Sequence, residues 1–203
     1  MTRGADALLF DLGRVVIDID FNLAFAKWAE YACCEQAVIA RRFAHDEAYK
    51  RHERGEIEAD QYFAALRSAL GVDITNAQLL EGWNAIFIGE MPGISPLLGK
   101  VARQLPLYAF SNSNREHELC WSGRFAGVLR HFRQIYVSST IGLRKPEAEA
   151  YDYVVRAIGA AAERIVFFDD VLENVDAARA CGLQAFQVTS AADVANALAS
   201  LTL

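Results

Sequence analysis

The chain has 203 residues, 53% of them hydrophobic and 23% charged, with a formal net charge of −6. That balance excludes a disordered chain, and a chain of this length hides roughly 70% of its unfolded surface, enough for one domain or one domain carrying an insertion. The acidic balance argues against a nucleic-acid partner, and no apolar run approaches the ~20 residues that span a bilayer, so no membrane partner is expected.

In chain order, Met1 to Asp6 shows no basic segment leading into a long apolar one, so no signal peptide is expected. Ala7-Leu8-Leu9-Phe10 is the first short apolar run and predicts a strand buried on both faces. From about 18 to 91 no buried strand is evident. The apolar spacing there predicts helices over 21–32, 36–50, 58–70 and 76–88, with Asp60 and Thr75 as caps and Gly71 at a helix end. Strand-like runs then resume at 107–110, 135–137, 165–168 and 185–188, with helical spacing over 147–158 and 172–181. Strands alternating with helices predict an α/β fold, a three-layer Rossmann-like core with a parallel sheet. The predicted division is a core of 1–17 and 92–203 and an all-helical cap of 18–91, inserted after the first strand. There it lies over the carboxyl edge of the sheet, where open α/β sheets bind ligands, and it would act as a lid. Cys33, Cys34, Cys120 and Cys181 form no CxxC, which predicts free buried thiols and a cytoplasmic location.

Polar residues gather after the predicted strands. Asp11 and Gly13 follow the first, Ser111, Asn112 and Ser113 the second, and Asp169 and Asp170 the fourth, with Asn174 four residues on. Lys145, one of only four lysines among 20 basic residues, lies between a strand and a helix. Each has a plainer reading: Asp11 in a turn, a serine or asparagine of 111–113 capping a helix, the aspartate pair capping the helix near 172, Lys145 solvated, Pro146 as a first helical residue. Parallel strands nevertheless place all these groups on one edge, and adjacent carboxylates are best tolerated beside a cation. The chemistry suggested is Mg²⁺-assisted phosphoryl transfer. Asp11 and Asp170 would supply carboxylate ligands, Lys145 and Ser111 would offset phosphate charge, and Asp11 would attack phosphorus. No GxGxxG follows a strand and no P-loop is present.

Phe10-Asp11-Leu12-Gly13-Arg14-Val15-Val16, Phe110-Ser111-Asn112-Ser113-Asn114, Arg144-Lys145-Pro146-Glu147 and Phe167-Phe168-Asp169-Asp170 with Asn174 resemble, in order, the four motifs of the haloacid dehalogenase superfamily of phosphatases. The insert resembles that family's small helical cap. Ile17-Asp18-Ile19-Asp20-Phe21-Asn22 and His52-Glu53-Arg54-Gly55-Glu56-Ile57 resemble its branch acting on glucose 1-phosphate. The resemblance implies a hydrolase of a small phosphorylated metabolite, a sugar phosphate such as glucose 1-phosphate, using Mg²⁺ and an aspartyl-phosphate. It makes Asp11 the nucleophile and a metal ligand, Asp170 the second carboxylate ligand and Gly13 a carbonyl ligand. Ser111 and Asn112 would hold the phosphoryl group, Lys145 would neutralise it, and Asp169 and Asn174 would orient metal waters. Gly13 departs from the family pattern, which carries an acid–base aspartate there, a group worth about 10²–10⁴-fold. That departure leaves open a weakly catalytic binding protein. It also turns attention to Tyr49, Arg51, His52, Glu53 and Arg54, with His52 as a surrogate acid. A receiver domain is disfavoured by the late acidic pair, and true dehalogenation by Asp169-Asp170, which suits a metal. Oligomeric state is not legible.

Overall fold

The computed structural model describes residues 4–200, so Met1–Arg3 of the segment read for a leader, and the extreme ends of the predicted core, lie outside the described residues. The chain runs through β1 (Ala7–Phe10), β2 (Ile17–Ile19), α1 (Phe21–Tyr31), α2 (Gln36–Arg42), α3 (Glu47–Glu53), α4 (Ala59–Leu70), α5 (Asn76–Asn84), β3 (Phe87–Glu90) and α6 (Ile94–Val101). It continues through β4 (Leu107–Ser111), α7 (Arg115–Arg124), α8 (Ala126–Leu129), β5 (Phe132–Val137), α9 (Ser138–Ile141), α10 (Ala148–Ile158), β6 (Ile165–Asp169), α11 (Leu172–Ala180), β7 (Gln184–Gln187) and α12 (Ala191–Ala199).

Five strands form a parallel sheet in the order β5-β4-β1-β6-β7. β1 is central, with Leu9 opposite Tyr108 on one side and Phe167 on the other. Its side chains alternate between two apolar layers. Leu8 and Phe10 join Ile94, Leu98, Val194 and Leu198 of α6 and α12, whereas Ala7 and Leu9 join Tyr151, Val154, Val175 and Ala178 of α10 and α11. Helices therefore cover both faces, the three-layer Rossmann-like arrangement, and the unbroken apolar runs reflect burial on both sides. The strand order turns back on either side of β1, which places a crevice at its carboxyl end.

Between β1 and β4 the chain departs from the all-helical expectation. β2 and β3 pair antiparallel, Ile17 opposite Glu90 and Ile19 opposite Phe87, so a ribbon crosses the first predicted boundary of the insert and ends just short of the second. The stretch 76–88 ends its helix at Asn84 because Phe87–Glu90 goes into this ribbon, whose strands are too short to show an alternating pattern. The stretch 36–50 is two helices. Phe43 is extended, its ring packs against Phe21, Phe25 and Trp28, and Asp46 accepts from the Tyr49 N–H at 2.9 Å to start α3. Thr75 caps α5, and Gly71 ends α4 in the left-handed region at φ 63°. Asp60 is not a cap: Glu58 takes that place, with Gln61 Oε1 accepting from its N–H at 3.0 Å. The cysteines are free but none is buried; Cys33 and Cys34 are exposed in the turn after α1. Among the described residues no helix is long and apolar enough to cross a membrane.

Candidate active site

Asp11 continues β1, its N–H donating to Phe168 O at 2.8 Å, so its carboxylate emerges at the carboxyl edge between β4 and β6. Ser111 ends β4, Asp169 ends β6, and Lys145 arrives from the loop after α9. The Lys145 ammonium is 1% exposed and donates to Asp11 Oδ1 at 2.8 Å and to Asp169 Oδ2 at 2.7 Å, with the rings of Phe110 and Phe167 within 5.4 Å. Asp169 is saturated: it also accepts from Asn174 Nδ2 at 3.1 Å and from the Val171 N–H at 2.8 Å. Asn112 brackets the lysine, its Oδ1 accepting from the Lys145 N–H at 2.9 Å and its Nδ2 donating to the Lys145 carbonyl at 2.8 Å. Both ends of that amide are thereby engaged, so the Asn112 side chain positions Lys145 and is not turned toward a ligand. The Ser113 N–H is likewise taken, by Ser138 Oγ at 2.9 Å, and it is Asn114 that caps α7.

Charge is crowded here. Carboxylate oxygens of Asp11, Asp169 and Asp170 lie within 4.8 Å of one another. Burial is the main force on Asp11, pushing its carboxyl up to about 7, with Asp169 and Asp170 adding to the rise and Lys145 opposing it. Burial and then Asp169 raise Asp170 as well. Lys145 stays charged, because its two carboxylates outweigh the desolvation of its ammonium. Three carboxylates beside one ammonium leave an excess of negative charge that a divalent cation would relieve, and oxygen-only donors suit Mg²⁺. Asp11 Oδ2 and the Asp170 carboxylate, which take no side-chain hydrogen bond among the described residues, fit that ion, whereas Asp169 is already engaged.

A cavity of about 270 Å³ opens above Asp11, lined at its floor by Gly13, Arg14, Ser111, Asn112, Lys145, Asp170 and Asn174. All the residues singled out for the site therefore meet there except Asp169, which lies directly behind Lys145. The cap contributes Phe21, His45 and Tyr49. Of the other cap candidates, Arg51 pairs with Glu56 at 3.3 Å and Arg54 with Glu47 at 2.9 Å; neither lines this cavity. His52 does not face Asp11 either. Its Nε2 meets Glu116 Oε2 at 2.9 Å, its ring stacks on Tyr62 at 4.5 Å, and it lines a separate cleft. Glu53 is buried against Arg144, Nε to Oε2 2.9 Å, next to Lys145 in the chain. His45 and Arg14 also line the cavity, and neither is among the residues the sequence marks for the site. His45 was hidden inside the supposed 36–50 helix, and Arg14, at φ 58°, holds a left-handed conformation that its neighbours do not announce. His117 lines the cavity but is held neutral, burial lowering it to about 3, with Nε2 on Trp83 O at 2.9 Å.

A sequence model of the haloacid dehalogenase-like hydrolases matches residues 5–182. The chain is similar to a D-ribitol-5-phosphate phosphatase of Bacteroides thetaiotaomicron, 22% identical over 92% of this chain and 93% of the relative. It is similar to an enolase-phosphatase E1 of Stenotrophomonas maltophilia, 35% identical over 64% of this chain and 56% of the relative. In fold it matches a family enzyme from Bacteroides thetaiotaomicron crystallised with magnesium and inorganic phosphate, at a TM-score of 0.79 and 22% identity, covering 93% of this chain and 96% of that one.

Proposed function

We propose that this chain, which belongs to the haloacid dehalogenase-like hydrolase family, is a Mg²⁺-dependent phosphomonoesterase that works through an aspartyl-phosphate on Asp11. The observation that carries the reading is the Asp11 carboxylate at the cavity floor, one oxygen held by Lys145 and the other free. Relatives named as phosphatases support it, as does magnesium with phosphate in a structure of the same fold.

Mg²⁺ would be held by Asp11, Asp170 and the Gly13 carbonyl, and it would supply charge neutralisation on the phosphoryl oxygens. The chain's own residues do the rest. Lys145, fixed by Asn112 and Asp169, screens the nucleophile from the dianion it must approach. The Ser111 hydroxyl and the Asn112 main-chain N–H donate to the phosphoryl oxygens. Asp169 and Asn174 act behind the lysine and the metal waters. Asp11 attacks phosphorus in line, and water later cleaves the aspartyl-phosphate.

The substrate class is a small phosphorylated metabolite. The sequence likeness proposes a sugar phosphate such as glucose 1-phosphate, whose anomeric oxygen leaves more readily than an ordinary alcohol. The region 18–91 serves in this reading as the lid over the carboxyl edge, and four unpaired thiols suit the reducing cytoplasm.

Phosphate release from a panel of monoesters, with and without Mg²⁺, tests the reading in the wild type and in Asp11→Asn. Mg²⁺-dependent release that vanishes in the variant is expected. No release by the wild type would favour the second reading, a weakly catalytic binding protein, which the missing carboxyl at Gly13 supports.

A further inference from the structure

The cavity above Asp11 has two unlike halves. Its floor is polar and belongs to the phosphoryl group. Its walls and roof are apolar: Ile17, Ile19, Phe21, Ile86, Phe87 and Trp121 face the same space. Three polar side chains interrupt that wall, and two are already engaged. His117 has Nε2 on the Trp83 carbonyl at 2.9 Å and Nδ1 against Asn114 Nδ2 at 3.3 Å. The Tyr49 hydroxyl is bonded to Glu53. Of these three only His45 remains, its ring packed edge-on to Phe21 and Phe43, while Arg14 and Ser113 line the cavity on the polar side. At about 30 Å³ per water-sized group, the roughly 270 Å³ cavity holds a phosphoryl group and about one ring. A sugar or polyol placed there would bring several hydroxyls against walls made mostly of hydrocarbon, where His45 is the one uncommitted polar side chain among the apolar residues. Each hydroxyl stripped of water and left unpaired weakens binding about tenfold or more.

Position 13 adds an independent constraint. A Cβ on Gly13 would stand 3.0 Å from Ile19 Cδ1, so an aliphatic side chain fills the space where a side chain from 13 would enter. The leaving oxygen therefore meets hydrocarbon and not a carboxylic acid. A second cavity, charged and sharing His45, Tyr49, Asn112 and Lys145, adjoins the first, but Asp11 and Gly13 do not line it. Asn112 and Lys145 open onto both cavities, and the one that Asp11 and Gly13 line is the one with apolar walls.

We infer that the site takes monophosphates of compact apolar hydroxyl compounds whose departing oxygen is acidic, aryl monophosphates above all, in preference to sugar and polyol phosphates. This rests on the phosphomonoesterase reading above and sets an aryl leaving group in place of the sugar that the sequence likeness suggests. Asp11 Oδ bonds to phosphorus as the phosphorus–oxygen bond to the ring breaks, and the electron pair leaves on the aryloxide, which the solvent protonates. Water then attacks the aspartyl-phosphate. The acyl-phosphate phosphorus–oxygen bond breaks, inorganic phosphate departs, Asp11 is regenerated as the carboxylate, and the proton from water passes to solvent. Burial lowers both histidines on this wall and so disfavours the imidazolium form that would protonate a leaving group.

The test uses wild-type protein with Mg²⁺ and four esters: phenyl phosphate, benzyl phosphate, glucose 1-phosphate and ribitol 5-phosphate. kcat/KM is the readout, because it covers only steps up to loss of the leaving group. Phenyl phosphate is expected to lead. Benzyl phosphate, equally apolar but with an unacidic oxygen, should compete with it at a similar inhibition constant yet turn over about 10²–10⁴-fold less efficiently. The sugar and polyol esters should bind at least about tenfold more weakly. Glucose 1-phosphate or ribitol 5-phosphate ahead of phenyl phosphate would overturn the inference and leave the phosphomonoesterase standing. So would benzyl phosphate equal to phenyl phosphate in kcat/KM, since an acid would then be present. No release from any of the four would overturn both.

Discussion

Lys145 is the residue on which the site balances. It is fully buried, and its ammonium touches two carboxylates that have no other cation within the chain's own bonds. Breaking a buried pair by removing one partner costs about 3–5 kcal/mol, because the survivor keeps its desolvation and loses its attraction. Lys145→Met is therefore expected to abolish turnover and lower unfolding stability by about that much at pH 8, read by urea denaturation. A loss of turnover with unchanged stability would show that the carboxylates find relief elsewhere. Asp11 sets the pH dependence of the metal-free protein. Its folded pKa, pushed up to about 7 chiefly by burial, exceeds its unfolded value. The folded state then holds the proton more tightly, so this group's contribution is fully present below pH 4 and is lost as pH rises through 7. In chelator, Asp11→Asn should gain stability over wild type between pH 5 and pH 8, and Mg²⁺ should erase the gain. A pH-independent difference would rule this out. At Gly13, Gly13→Asp alone meets Ile19, whereas adding Ile19→Ala should raise kcat/KM for benzyl phosphate about tenfold or more. The gathering of these side chains at one edge was legible in the sequence because Asp11, Ser111, Asp169 and Asp170 lie at strand ends, and parallel strands end on one edge. That the Asn112 amide closes on the Lys145 backbone is not legible there, since the contact joins residues far apart in the chain. His45 was missed because a helix-like spacing ran through it.

At the scale of elements, the closest approach in the insert is between α1 and α5. A Cβ on Gly82 would lie 2.2 Å from the Trp28 indole nitrogen, which itself donates to Leu79 O at 3.0 Å. Trp28 and Trp83 are among the largest fully buried side chains, so the indole has nowhere to move. Gly82→Ala is expected to destabilise by about 1–3 kcal/mol through overpacking. Gly123 is the internal control. It lies near the end of α7 with nothing within 4 Å of its Cβ position, and Gly123→Ala should stabilise by up to about 1 kcal/mol. Equal effects of the two in urea denaturation would show that the helices slide apart without cost. The same scale explains which elements could be read. The sheet strands are buried on both faces and declare themselves by composition alone. The ribbon of β2 and β3 has three and four residues, half exposed, with Gly89 interrupting it. The break between α2 and α3 depends on where the Phe43 ring finds its partners, which is a tertiary fact that local spacing does not carry.

Across the whole molecule, the insert and the sheet share one continuous apolar cluster, from Trp28, Tyr62 and Trp83 through Val16 and Ile17 to Phe10 and Phe168. Polar contacts then cross the seam around the cavity: Arg144 to Glu53 at 2.9 Å, His52 to Glu116 at 2.9 Å, Trp83 to Asn114 at 3.2 Å, and Arg124 to Phe87 O at 2.8 Å. Gly55, at φ 67°, comes so near the Ser139 carbonyl that a Cβ would clash at 2.3 Å. If the insert serves as the lid proposed above, these contacts describe its closed arrangement, and admission of substrate would require the α3 side of the seam to open locally. Arg144 couples that seam to the site, because it adjoins Lys145 and its partner Glu53 bonds Tyr49 in the cavity wall. A dianion at the floor adds charge beside Lys145 and Arg144 and should hold the seam shut. Hydrogen exchange of α3 and α4 is therefore expected to slow with Mg²⁺ and inorganic phosphate, while α10 and α11 behind the sheet stay unchanged. Glu53→Ala should speed exchange in α3 and α4 and blunt the response to phosphate. Equal cap protection with and without phosphate in the wild type would mean the lid does not close on its ligand, and the substrate would then have to enter past a static cap.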